Sequence, residues 1–149
     1  MLGMRNYTHE YIDACRSRVD SDLSAYRNLV AAAKPTSDKA LSSFESTFFN
    51  NILLILDYLF VHRLASSDGK DGNPLNEVRV MCDSLLNNNN IMTSGTVSKA
   101  SQMRFNKAIK LSPEKSVLKY QVGDEIRLNE SDFLLISKAF FDELERKYL

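Results

Sequence analysis

The residues best suited to chemistry are His62 and Arg63, then Lys70 and Asp71, then Asn76, Glu77, Arg79 and Asp83. If the first pair ends one helix and the last group begins another, they describe an anion site. The helix N-terminus offers free N–H groups, and Arg63, Lys70 or Arg79 offers the counter-charge. His62 and Glu77 would handle protons. Arg63, Glu77 and Arg79 would then form an ion-pair network, and a small anionic ligand is the species such a corner would take. The competing reading is structural: His62 and Arg63 terminate a helix, and the ion pairs lock a corner.

Other chemistries lack their residues. A four-helix di-metal site needs Glu-x-x-His on two helices, whereas the chain has only His9 and His62, neither with Glu three positions before it. Asp57 or Glu45 would supply one ligand each, so no metal or other cofactor is expected. Cys15 and Cys82 belong to no CxxC and to no Cys/His pair with metal-ligand spacing, which predicts two reduced thiols. The chain has no G-x-S-x-G elbow, no G-x-G-x-x-G and no Walker A loop.

Charge excludes a broad class of partner. Nineteen Lys and Arg balance nineteen Asp and Glu, so no global field draws the protein to nucleic acid or anionic lipid. One segment departs from this balance: residues 98–119 hold Lys99, Arg104, Lys107, Lys110, Lys115 and Lys119 against Glu114 alone, near Phe105 and Tyr120. In a neutral chain this reads as a solvated basic segment rather than a nucleic-acid surface.

The elements that must position these residues follow from period and punctuation. Phe44 to Leu64 is apolar on nearly every side, with Phe44, Phe48, Ile52, Ile55 and Leu59 on one face and Phe49, Leu53, Leu54, Leu56, Phe60 and Val61 around it. Its uninterrupted apolar run contains Asp57 and follows Asn50-Asn51, which is too short for the roughly 20 residues a bilayer needs. It is predicted as the buried central helix of a bundle.

Ahead of it, Thr8 or Asn6 caps a helix striped by Tyr11, Ile12, Cys15, Val19, Leu23, Tyr26, Leu29, Val30 and Ala33, stopped at Pro35. Thr36 or Ser37 caps the central helix, so the two pair as an antiparallel hairpin. Residues 65–73 are predicted as an exposed turn. Asn73-Pro74 starts a third helix, with Leu75, Val78, Met81, Cys82, Leu85 and Leu86 inward, fraying into Asn87 to Asn90. Asn129 caps the last, with Phe133, Ile136, Ser137, Phe140, Phe141, Leu144 and Tyr148 inward.

Between these last two helices lies an irregular, less ordered excursion of about 88–128. A short helix is predicted over 98–109, a helical turn from Ser112, and a β-hairpin over 116–128 turning near Gly123-Asp124, with a loop-like course as the alternative. The fold class is therefore mainly all-α: a four-helix-bundle-like single domain over 1–149. The first residues lack a basic-then-apolar leader pattern, which with the reduced thiols predicts a cytoplasmic protein.

From the central helix on, YLFVHRL, GKDGNPLNEVRVMCDSLL and SVLKYQVGDEIRLNESDF resemble a family of small all-helical bacterial proteins that are uncharacterised, so the resemblance implies a fold and no activity. The plan of long helices with a polar cluster at the end of a core helix is also faintly similar to HEPN-type domains. Their RNA-cutting members carry Arg, about four to six residues, then His. Here Arg5 and His9 enclose only three residues and no histidine follows Arg63, so that likeness implies an RNA-associated protein without the cutting motif.

Two functions of different classes follow. One is a non-catalytic helical module that binds another protein chain, its own copy included, for which Phe140, Phe141 and Tyr148 are candidate dimer-face residues. The other is an enzyme or small-anion sensor using His62, Arg63, Lys70, Asp71, Asn76, Glu77 and Arg79.

Overall fold

The computed structural model describes residues 3–34, 37–93 and 111–149. Within them the chain forms α1 (His9–Ala33), α2 (Asp38–Leu59), a single-turn α3 (Ala65–Asp68), α4 (Pro74–Asn87) and α5 (Glu130–Tyr148). The mainly all-α, bundle-like class predicted from the periods is the one found.

Each long helix starts where a side-chain cap was expected. Thr8 accepts from the Tyr11 amide, Ser37 from Ala40, Asn73 from Leu75 and Asn76, and Asn129 from Asp132 in a full capping box. These caps satisfy amides that have no partner within the helix, and each typically contributes about 1 kcal/mol.

The core joins one face of every long helix: Ile12, Cys15, Val19, Leu23 and Tyr26 of α1 against Phe49, Ile52, Leu53 and Leu56 of α2 and Phe133, Ile136, Phe140 and Leu144 of α5. Helix α1 also reaches α5 at its flank, where Arg16 pairs with Glu145 and lies 4.5 Å over the Phe141 ring, and Arg27 pairs with Glu130.

Two helices exchange the roles the sequence suggested. α2 is not enclosed: Phe44, Ile55 and Tyr58 are exposed, Tyr58 to 72%. α4 is enclosed, with Asn76, Glu77, Asp83 and Ser84 buried beside Leu75, Val78, Val80 and Met81. It packs against both α2 and α5.

The central helix also stops earlier than predicted. Phe60 leaves helical geometry at φ −121° and ψ 31°, its ring packed against Tyr7, Tyr11, Phe140 and Phe141. His62 and Arg63 thus lie in the turn beyond the helix. That turn is strapped by the N-terminal segment, where the Met4 amide donates to His62 O (2.6 Å), the Leu64 amide to Met4 O (3.0 Å) and the Tyr7 amide to Tyr148 O (2.8 Å).

The predicted β-hairpin is absent, and the described residues contain only isolated bridges. The Gly123-Asp124 turn is real, with Gly123 at φ +97°, but its flanks do not pair with each other. They pair with the chain leaving α4, through Met92 N to Asp124 O (2.7 Å), Gly123 N to Met92 O (2.9 Å) and Ile126 N to Asn90 O (2.7 Å). The asparagine run makes this possible, because Asn89 and Asn90 adopt left-handed φ of 51° and 65°, which Asn tolerates better than most residues. The turn expected from Ser112 is a single one, closed by Ser116 N on Ser112 O at 2.9 Å. The helix predicted over 98–109 lies outside the described residues.

Candidate functional site

The polar corner is organised by a residue the sequence analysis passed over. Asp68 ends the single-turn α3, in the stretch predicted as an exposed turn, yet it is 2% exposed. Its carboxylate accepts from Arg63 Nε at 3.1 and 3.2 Å, from Arg79 Nη2 at 3.3 Å and from the Tyr148 hydroxyl. Its carbonyl accepts from Asn73 Nδ2 at 2.7 Å and Lys147 Nζ at 2.6 Å. Three segments far apart in sequence therefore close on one buried anion.

Arg63 is equally enclosed, its side chain wholly out of solvent. Besides Asp68 it donates to Asp57 Oδ1 (3.2 Å) and Phe60 O (3.3 Å), and its guanidinium lies 5.2 Å over the Phe140 ring. Burial alone would lower its pKa, but Asp57 and Asp68 outweigh burial, and the net shift is upward. Burial first, then the Asp68 hydrogen bond, pushes the Tyr148 hydroxyl well up, and burial raises Tyr7 to about 12. The Tyr7 hydroxyl is itself buried without a hydrogen-bond partner among the described residues.

The loop that carries the remaining candidates is self-satisfied. Gly69 takes φ +78°, and an added Cβ would meet Lys147 Nζ at 3.3 Å. Asn76 accepts from Gly72 N (3.0 Å) and donates to Gly69 O (2.9 Å). Asn73 occupies the α4 amides that were the candidate anion donors. Asp71 is exposed, its pKa lowered chiefly by the hydrogen bond from Asn73, and it pairs loosely with Lys115 at 3.7 Å.

The candidate residues thus separate. Arg63 and Arg79 do meet, through Asp68, with Asn76 of α4 holding the adjoining loop. Glu77 is not part of that network: its two oxygens accept the backbone amides of Val117 (2.8 Å) and Leu118 (3.1 Å), fastening the returning chain to α4. His62 and Lys70 lie on the surface. The residues nominated as metal ligands have other roles, since Asp57 pairs with Arg63 and Glu45 accepts from the Glu130 amide at the head of α5 (2.9 Å). Among the described residues, no group of His, Cys, Asp and Glu is placed to hold a metal.

Two other residues escaped sequence analysis. Asn50 is buried, donating to Ile126 O (2.9 Å) and accepting from Leu128 N (3.2 Å). Ser84 accepts from Thr93 N (3.1 Å) while donating to Val80 O (2.8 Å). The only sequence signal for Asn50 was a polar side chain inside an apolar helix; Ser84 gave none.

Burial pushes the Cys82 thiol well up, and it pushes Cys15 up too, so neither has the character of a nucleophile. No helix among the described residues is long and apolar enough to cross a membrane. No protein-family model, curated protein or solved structure matches the chain.

Proposed function

We propose that the protein is a non-catalytic helical module that works by binding protein chains, a second copy of itself foremost. The observation carrying this reading is the outer side of the α1/α2 hairpin, where Tyr11, Leu29, Phe44, Ile55 and Tyr58 are all at least 37% exposed. Large apolar groups concentrated on one face of a small protein mark an association surface.

The polar corner supports the same reading by being complete. Arg63 is already bound on three sides, and the Leu75 and Asn76 amides heading α4 are capped, so among the described residues the buried donors of the corner are engaged. That favours the corner as a lock between α2, α4 and α5 over a ligand or enzyme site. Phe140, Phe141 and Tyr148 are buried in the core, so the dimer face is not built from them.

Sedimentation equilibrium across micromolar concentrations tests the proposal. It expects a mass above the 16.9 kDa of one chain; a single-chain mass throughout would remove self-association.

A further inference from the structure

Resting on that reading, the pattern of the exposed residues assigns the partner and its orientation. On α2 the exposed Phe44, Asn51, Ile55 and Tyr58 form one stripe with the half-buried Phe48, spaced four, three, four and three apart. That is the heptad spacing of a helix–helix seam. On α1 the matching outward flank is Tyr11, Arg18, Asp22, Ala25 and Leu29, at steps of seven, four, three and four. The stripes lie side by side, because Tyr11 donates its hydroxyl to Leu59 O (2.5 Å) at one end and Tyr26 stacks on Phe44 and Phe48 at the other. A hairpin with two such stripes on one side is half of a second four-helix bundle.

We infer that two copies pair through this face about a two-fold axis passing near Asn51, with α2 antiparallel to the partner's α2. The stripe is self-complementary under that operation. Its aromatic end at Phe44 and Phe48 meets the partner's end at Ile55 and Tyr58, while the exposed Asn51 amides face each other at the axis. An isologous contact requires such reciprocal pairing.

Charge agrees with the same axis. Arg18 and Asp22 stand near the middle of the α1 stripe, and neither takes part in an ion pair among the described residues, whereas Arg16 and Arg27 on the opposite flank are engaged by α5. Across the two-fold, Arg18 of each copy faces Asp22 of the other. Area agrees too. The α2 helix is about 33 Å long, and two helices side by side are about 20 Å wide. The footprint of about 650 Å² approaches the roughly 800 Å² per partner of a specific interface, before side-chain relief is added.

The test is site-specific cross-linking of the whole chain. Asn51→Cys should give a disulfide-linked dimer on mild oxidation, whereas Lys138→Cys, on the exposed side of α5, should not. Arg18→Asp should weaken the dimer about tenfold, with helicity unchanged by circular dichroism, and Arg18→Asp with Asp22→Arg should restore it. A wild-type dimer in which Lys138→Cys cross-links and Asn51→Cys does not would overturn the assigned face while leaving self-association standing. A wild-type protein monomeric at all concentrations would overturn both.

Discussion

Helices α2 and α4 invert what their compositions suggest. α2 is the more apolar, yet it keeps Phe44, Ile55 and Tyr58 toward solvent; α4 carries Asn76, Glu77, Asp83 and Ser84, yet is buried on nearly every side. The difference lies in what each helix is packed with. Asn76, Glu77 and Ser84 go inward because irregular chain covers them and brings backbone amides and carbonyls that need partners: Gly69 and Gly72 for Asn76, Val117 and Leu118 for Glu77, Thr93 for Ser84. Burying a polar side chain costs little when it takes a hydrogen bond the backbone would otherwise lose. α2 has the opposite surplus, more apolar surface than its own chain covers. α4 ties the fold together, whereas α2 leaves apolar side chains exposed.

The sharpest way to break this contrast is at the buried corner. Asp68→Ala leaves the enclosed Arg63 with Asp57 as its remaining carboxylate and the Tyr148 hydroxyl with only the Leu64 carbonyl, which should cost about 3–5 kcal/mol of unfolding free energy in urea titration. Glu77→Ala should cost about 2 kcal/mol and act locally, with faster hydrogen exchange at Val117 and Leu118 than elsewhere.

Alkaline titration probes the tyrosines that seal the same end. Folding raises Tyr7 to about 12, from an ordinary value near 10, and raises Tyr148 further. The folded state holds these protons longer than the unfolded chain, so the stability they contribute is complete below pH 10 and lost as pH rises through about 12. Tyr7→Phe should make that decline shallower, and at neutral pH it should be neutral or stabilising by up to about 1 kcal/mol, because it removes a buried hydroxyl that has no partner. The smallest effect belongs to the other helix. Tyr58→Ser should change the stability of a single chain by less than about 0.5 kcal/mol, measured at concentrations low enough to prevent pairing.

Much of this fold was legible in the sequence, because caps and periods are local signals. Thr8, Ser37, Asn73-Pro74 and Asn129 each mark a helix start at the observed position. What escaped was decided by distant partners. Nothing near Asp68 shows that Arg63, Arg79 and Tyr148 will converge on it, so a buried hub looked like part of a polar turn. The excursion alternates like a hairpin, but its strongest donors find Asn90, Met92 and Glu77 instead of each other. The apolar girth of α2 was plain, but a stripe apolar on nearly every side does not say which side stays exposed. Arg63 and Arg79 do meet, at Asp68, while Glu77 lies apart because its partners are backbone amides some forty residues away.

The most direct test of the central claim is sedimentation equilibrium of the wild-type chain beside Ile55→Glu. The account predicts a wild-type mass of twice 16.9 kDa and a variant that is monomeric with the same helical circular dichroism. A variant that pairs as tightly as the wild type would contradict it, showing that the exposed face of α2 is not where the chains meet.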